Sequence, residues 1–138
     1  MSQALAPAAA RSLLAFDFGT KRVGVASGSR LTGQGTPLAT LTESGPARFD
    51  AIARLLKEWR PDALVVGVPF HPDGAAHAVT EQARRFARQL AGRFHLPVFE
   101  VDERYTSVEA EAQGARGAAL DAASAALIAE QFFRENPS

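Results

Sequence analysis

Two short apolar stretches near the start of the chain flank a polar turn. Residues 12–18 and 22–28 alternate or run apolar, and the turn "GTKR" joins them, which predicts a β-hairpin. Residues 31–39 predict a third strand, whose glycines and Pro37 favour an edge position in a sheet. The first part of the chain therefore predicts three consecutive strands.

Apolar residues at helical spacing follow these strands. Those from Phe49 to Trp59 predict a helix that begins near Pro46 and stops at "RPD". Those from Val79 to Leu90 predict a second helix. Its opposite face carries three arginines and is expected to be solvated: Arg84, Arg85 and Arg88.

Two continuous apolar runs, residues 62–70 and 96–102, have the pattern of strands covered on both faces. Residues 71–77 are expected to form a loop, 106–113 a short helix, and a final helix begins near Asp121. An antiparallel hairpin followed by alternating helices and strands implies an α/β fold. We expect one mixed five-stranded sheet with helices packed on its faces.

The length of 138 residues suits one domain with a single core. We assign residues 12–134 to this domain, 1–11 to a disordered lead rich in Ala and Pro, and 135–138 to a frayed tail. No apolar stretch is long enough to span a bilayer, so no membrane partner is expected. The chain has no cysteine, which excludes disulfides and thiolate metal sites and fits a cytoplasmic location.

The charges balance, with 15 basic and 15 acidic side chains. A zero net charge argues against tight, sequence-independent binding of nucleic acid by one subunit. Of the basic residues 13 are Arg, which is the better bidentate partner for phosphate. The position of each charge therefore carries more information than the total.

Acidic residues fall where the predicted strands end. Asp17 ends the first strand, Asp102 and Glu103 end the last one, and Asp121 opens the final helix. Because ligands gather at the carboxyl ends of parallel strands, these acids could converge at one sheet edge. Clustered carboxylates repel unless cations hold them together, and hard oxygen ligands suit Mg²⁺ or Mn²⁺. Two such ions can activate a water and stabilise the leaving oxygen of a phosphodiester.

Each acid also has an ordinary structural interpretation. Asp121 is an acceptable helix N-cap, and Glu103 could pair with Arg104 or another surface arginine. Asp17 is harder to explain in this way, because it lies between Phe16 and Phe18 in an apolar strand, where a carboxylate is costly unless paired or metal-bound.

Basic residues accompany the acids. Thr20, Lys21 and Arg22 lie in the turn after Asp17 and could contact a phosphate, or they could be solvated. Arg104 follows Glu103 and is a further candidate for a phosphate contact.

Four motifs together resemble one known family. The segments "LLAFDFGTKRVGVA", "LVVGVPFHPDG", "VDERYTSVEAEA" and "DAASAALIAEQFF", in this order, are similar to the YqgF/RuvX family of bacterial proteins. That family belongs to the ribonuclease H-like superfamily and is described both as Holliday junction resolvases and as nucleases that mature the small-subunit ribosomal RNA precursor. The resemblance covers about residues 12 to 134.

The resemblance implies a ribonuclease H-like fold and a two-metal site formed by Asp17, Glu103 and Asp121. Related resolvases often have a fourth acid one helical turn after the last one, where this chain has Ser124, so Asp102 could assist. The segment before Asp121 is short and lacks the usual lysines, which leaves Arg116 as the nearest cation. His71 stands where the family usually has a polar residue such as Asn. These departures affect the expected substrate preference more than the fold.

Three functions are compatible with these residues. The first is a metal-dependent nuclease acting on branched DNA or on structured or single-stranded RNA, with a 5′-phosphate on the product; a symmetric junction would favour a homodimer. The second is a binding module for nucleic acid or a ribosome-related partner that has lost the reaction. The third is a nucleotide-binding fragment of the actin and sugar-kinase type, which would need a second domain that 138 residues cannot supply.

Overall fold

A computed structural model describes residues 5–70, 79–103 and 118–138, with side chains from residue 120 onward in the last stretch. Within these residues, five strands and three helices follow a short 3₁₀ turn. The strands are β1 (Ser12–Phe18), β2 (Val23–Ser29), β3 (Gln34–Leu41), β4 (Ala63–Val68) and β5 (Val98–Asp102). The helices are α1 (Pro46–Trp59), α2 (Thr80–Phe94) and α3 (Ala118–Glu135), and the 3₁₀ turn is Pro7–Ala9.

The strands form one mixed sheet in the order β3-β2-β1-β4-β5. Strand β2 runs antiparallel to both β1 and β3, whereas β4 runs parallel to both β1 and β5. This arrangement confirms the predicted five-stranded sheet and the edge position of β3. Central β1 and β4 are buried along their apolar residues, as expected for strands covered on both faces.

The two faces of the sheet bury different residues of β1. Leu14 and Phe16 face a cluster with Phe49, Ile52, Phe86 and Leu90, so α1 and α2 cover this face. Leu13 and Ala15 face a second cluster built with α3, which contributes Ile128, Ala129 and Phe132. Because side chains alternate along a strand, Asp17 belongs to the face that α3 covers, and Phe16 and Phe18 to the opposite face.

Helix α3 packs unusually close to β2 and β3. A Cβ atom added at Gly35 would lie 2.2 Å from the carbonyl oxygen of Ala126, and one added at Gly28 would lie 3.1 Å from the Cβ of Ala129. The glycines and the small residues of α3 thus let the helix backbone approach the sheet directly.

The sequence expectations for the fold differ from the structure at β5 and at the chain ends, and β3 begins at Gln34 instead of residue 31. Strand β5 is an edge strand with an exposed Glu100, whereas residues 96–102 were expected to be covered on both faces. Because β5 lies at the end of the sheet, the helices on the two faces cover it less completely than they cover β4.

The second difference concerns the chain ends. Residues 5–11, part of the expected disordered lead, pack against the domain with Ala10 fully buried. The Arg30 guanidinium donates hydrogen bonds to the carbonyl oxygens of Pro7, Ala10 and Asn136 and stacks on the ring of Phe133. This one cation joins the two ends of the chain. The predicted loop 71–77 and short helix 106–113 lie outside the described residues, and the assignment of 12–134 to a single nuclease domain stays a prediction.

Candidate active site

Asp17 lies near the carboxyl end of β1, between two glycines. In the ladder it is directly opposite Gly24 of β2 and Gly67 of β4. Residues that face each other across a ladder share one side of the sheet, so no side chain flanks the Asp17 carboxyl there. The two glycines leave a space on each side of Asp17.

The other two acids are placed beside Asp17 through these spaces. A Cβ atom at Gly24 would lie 1.9 Å from the backbone oxygen of Asp121, and one at Gly67 would lie 2.8 Å from Glu103 Oε2. The start of α3 therefore lies on Gly24, and the Glu103 side chain lies on Gly67. The structure thus brings together the three acids that the sequence predicts.

Asp17 and Glu103 form a buried carboxyl pair. Glu103 is 9% exposed, and a hydrogen bond joins the two carboxyl groups, which requires a shared proton. Burial raises the pKa of Asp17 to about 7, with the hydrogen bond from Glu103 opposing the rise and the charge of Asp121 adding to it. Burial also raises the pKa of Glu103 well above its ordinary value, and the neighbouring charges of Asp17 and Asp102 contribute. The expected pairing of Glu103 with a surface arginine is absent among the described residues.

We expect the metal-free protein to lose stability as the pH rises through the titration of this pair. The Asp17 carboxyl binds its proton up to about pH 7 when folded but only up to about pH 4 when unfolded. Between these values the folded state holds more protons, so the free energy of unfolding decreases with pH. At about 1.4 kcal/mol per pKa unit, Asp17 alone accounts for at most about 4 kcal/mol, and the raised pKa of Glu103 acts in the same direction. Urea unfolding in EDTA at about pH 5 and about pH 8 measures this; equal stability at both, or greater stability at the higher pH, contradicts it.

Asp121 lies in the first turn of α3 and carries an ion pair. The helix begins at Ala118, so the alternative interpretation of Asp121 as its N-cap is wrong. Arg22 Nε lies 2.7 Å from Asp121 Oδ2, with 48% of the arginine side chain and 20% of the aspartate side chain exposed. Arg22, predicted as a phosphate contact, is thus directed at the acid site in this structure.

The β1–β2 turn that carries Arg22 is held at both ends. A Cβ atom at Gly19 would lie 2.5 Å from the Arg22 carbonyl oxygen, so only glycine permits this tight turn. The buried Arg48 of α1 donates hydrogen bonds to the carbonyl oxygens of Thr20 and Glu43. Thr20 and Lys21 are exposed at the tip. The turn therefore has a defined position relative to α1 and the site.

A comparison with known protein families identifies the family to which this chain belongs. The family model described as "RuvX: Holliday junction resolvase" matches residues 11–135. The chain belongs to the RuvX family. The resemblance that the four motifs indicated is confirmed.

Two relatives cover most of this RuvX-family chain. A protein of Albidiferax ferrireducens named "Putative pre-16S rRNA nuclease" is 63% identical over 124 residues, which are 90% of this chain and 78% of that protein. A protein of Polaromonas sp. with the same name is 56% identical over 140 residues, which are 99% of this chain and 100% of that protein.

Solved structures of low sequence identity share the RuvX-family fold seen here. RuvC of Thermus thermophilus in complex with a Holliday junction substrate has a TM-score of 0.57 and 19% identity, and the match covers 90% of this chain and 95% of that one. The yeast mitochondrial Holliday junction resolvase has a TM-score of 0.50 and 13% identity, over 88% and 77% of the two chains. These likenesses support the ribonuclease H-like fold that the resemblance implied.

The side chains of this RuvX-family site suit a hard cation in their chemistry. Asp17 and Glu103 present carboxyl oxygens in contact, and Glu103 Oε2 has no hydrogen-bond partner among the described residues. In the described part of the chain, no group of three acidic, imidazole or thiol side chains lies close enough together to hold a metal ion. Asp121 instead forms an ion pair with Arg22. Asp121 would have to release the Arg22 guanidinium before it could bind a metal ion.

Ser124 and Asp102 occupy supporting positions. Ser124 is fully buried, and its Oγ has no hydrogen-bond partner within the described ranges. A carboxylate at this depth would add a fourth buried negative charge, which the hydroxyl avoids. The Asp102 backbone oxygen accepts a 2.7 Å hydrogen bond from Gln131 Nε2, which ties the end of β5 to α3.

Several predicted site residues lie outside the described residues: His71, Arg104 and Arg116. The predicted solvated face of α2 is confirmed, because its three arginines are exposed: Arg84, Arg85 and Arg88. Arg84 pairs with Glu100, and Arg88 pairs with Glu81. None of the helices within the described ranges has the length and apolar character to cross a membrane.

Sequence reasoning missed the glycines opposite Asp17. Gly24 and Gly67 interrupt the apolar runs "VGVA" and "VVGV", and an isolated glycine inside a strand signals close approach by another segment. That signal could have been used. Arg48 was also missed, and no local pattern marks it, because its role depends on how α1 packs beside the turn.

Proposed function

We propose that this chain is a metal-dependent nuclease that hydrolyses phosphodiester bonds of nucleic acid. The observation that carries the proposal is the buried Asp17–Glu103 carboxyl pair with Asp121 beside it, at the sheet edge where the parallel strands end. Membership of a family described as Holliday junction resolvases and the nuclease names of the relatives support the same reaction class.

Each residue has a stated part in this proposal. Asp17, Glu103 and Asp121 would hold Mg²⁺ or Mn²⁺, with two ions expected; these supply an activated water and stabilise the leaving oxygen. The shared proton of Asp17 and Glu103 must leave before both carboxylates can serve as ligands. Exposed Lys21 and Thr20, with Arg22, would position the phosphate backbone, as would Arg104 and Arg116. The expected product carries a 5′-phosphate.

For the substrate we favour the precursor of 16S ribosomal RNA, because relatives with more than half of their residues identical carry that name. This substrate places the action in the bacterial cytoplasm. The family description favours a four-way DNA junction as the second candidate. A junction presents two symmetric cleavage positions, so resolution would require a homodimer, whereas cleavage of RNA requires one copy.

End-labelled substrates test the proposal. Wild-type protein is expected to cut RNA that spans an end of the 16S precursor in Mn²⁺ or Mg²⁺ but not in EDTA, and to cut a four-way DNA junction more slowly. Glu103→Gln keeps the size and hydrogen-bonding capacity of the side chain but removes a ligand charge, so we expect cleavage to fall by at least about 10³-fold.

The matched control is Glu100→Gln on the same strand, where the exposed carboxylate pairs with Arg84 on the surface. This variant should cut like the wild type. Wild-type protein that binds these nucleic acids but cuts none of them in either metal would contradict the nuclease and support the non-catalytic binding module.

A further inference from the structure

The ion pair between Arg22 and Asp121 places a permanent positive charge inside the acid site. The guanidinium has five donors and no acceptor. It contacts Asp121 at 2.7 Å, although the arginine side chain is still 48% exposed. Arg22 can therefore leave the site toward solvent without disturbing the core.

The surroundings explain why a cation is held there. Asp17 and Glu103 are in contact, and the charge of Asp121 acts on Asp17. The negative charge of Asp121 repels an ionised Asp17, so a positive partner on Asp121 stabilises the site when no metal is bound. The turn is built to supply that partner, since Gly19 permits its tight bend and Arg48 fixes the Thr20 carbonyl.

Arg22 and a metal ion would compete for the same carboxylate. A divalent cation that binds Asp121 Oδ2 would take the place of the Arg22 Nε atom, which lies 2.7 Å from that oxygen, and the two positive charges repel. A released guanidinium at the rim of the site has the geometry to bind a phosphate of the nucleic acid with two parallel hydrogen bonds.

We propose that Arg22 is an internal counter-cation of the acid site, which a divalent metal displaces and which then binds a backbone phosphate of the nucleic acid. This inference rests on the proposed nuclease function. It makes metal binding and nucleic-acid binding mutually reinforcing, because each removes the contact that opposes the other, and such coupling is reciprocal.

Calorimetric titration with Mn²⁺, in the absence of nucleic acid, tests the competition. Arg22→Ala removes the competing cation, so this variant should bind Mn²⁺ about five- to tenfold more tightly than the wild type. Lys21→Ala is the matched control, because it removes the adjacent exposed charge but not the contact with Asp121, and it should change the Mn²⁺ affinity less than about twofold. Equal or weaker Mn²⁺ binding by Arg22→Ala overturns the inference, as does an equal gain in both variants.

Binding of a fluorescent RNA hairpin tests the second part of the proposal, which is that the released Arg22 binds a backbone phosphate. Ca²⁺ is used as the hard divalent cation, and a gel confirms that the probe stays intact. Ca²⁺ should tighten RNA binding by the wild type about fivefold and by Arg22→Ala less than about twofold. An equal gain in both proteins overturns the proposed release of Arg22 to the phosphate.

The failure of this inference can be distinguished from failure of the proposed function. If Asp17→Asn abolishes Mn²⁺ binding and Arg22→Ala leaves it unchanged, the metal site stands and only the role of Arg22 is wrong. If the wild type binds no Mn²⁺, the metal-dependent nuclease itself is wrong and the inference falls with it.

Discussion

Asp17→Asn is expected to reduce cleavage by at least about 10³-fold while the protein stays folded. The substitution removes one charged oxygen at the centre of the acid site, and a metal-based reaction loses several kcal/mol of transition-state stabilisation without that ligand. Asparagine has nearly the same shape and volume as aspartate, so the packing around this position is kept. The rate of cleavage of the preferred substrate, measured at saturating Mn²⁺, gives the loss.

The same variant should be more stable than the wild type at about pH 8 in EDTA. The wild-type carboxyl must then be ionised in a buried place, because its pKa of about 7 lies below that pH. The neutral amide avoids this cost, which is at most about 4 kcal/mol. At about pH 5 the wild-type carboxyl is protonated, so the difference in stability should shrink.

Asp50→Asn provides the control, since Asp50 is an exposed residue of α1. It should leave cleavage and the pH dependence of stability unchanged. An Asp17→Asn protein that still cuts at the wild-type rate would show that the reaction takes place elsewhere. A protein that loses both cleavage and RNA binding would indicate that Asp17 supports the surface and not the reaction.

Gly24→Ala is expected to destabilise the protein by about 3 kcal/mol and to disturb the site. An added methyl would lie 1.9 Å from the Asp121 carbonyl oxygen and 2.9 Å from the Ala122 nitrogen, and both are backbone atoms that cannot rotate away. The N-terminal turn of α3 must therefore move off the sheet, which costs packing energy of the size known for overfilled cores. Urea unfolding measures the loss of stability, and the Mn²⁺ titration measures the effect of displacing Asp121.

Gly92→Ala is the matched glycine substitution. Gly92 lies in α2 with nothing within 4 Å of an added Cβ. Alanine is the better helix former, so this variant should gain about 0.5–1 kcal/mol. If Gly24→Ala were as stable as the wild type, the close seating of α3 on β2 would be wrong.

The metal-free state of the site determines the conditions under which an assay can distinguish a nuclease from a non-catalytic binding module. Arg22 and the shared proton of Asp17 and Glu103 both oppose metal binding, the first by occupying Asp121 and the second by occupying the carboxyl pair. Cleavage assays at low pH would therefore report weak activity for a competent nuclease. Assays are best run above about pH 7.5, where the Asp17 carboxyl is mostly ionised.

Local patterns predict much of this molecule because their causes are local. The alternation in residues 12–18 predicts β1, and helical spacing from Phe49 to Trp59, with Pro46 near the start and "RPD" as the stop, predicts α1. Pro37 cannot donate a ladder hydrogen bond, and β3 is indeed at the sheet edge. The failure at β5 has an equally simple reason, since a short apolar run reads alike in a central strand and in an edge strand that a helix covers.

The amino-acid sequence by itself determined the α/β class, the order of the strands and helices, and the acids to consider: Asp17, Glu103 and Asp121. The tertiary structure decided that α3 covers the face of β1 to which Asp17 belongs, and that Arg22 pairs with Asp121. It also decided that Gly24 and Gly67 leave the space that Asp121 and Glu103 occupy. These contacts join residues that are up to about a hundred positions apart, and those of Asp121 form only because α3 packs on the sheet. Periodicity within one segment carries no information about such distances.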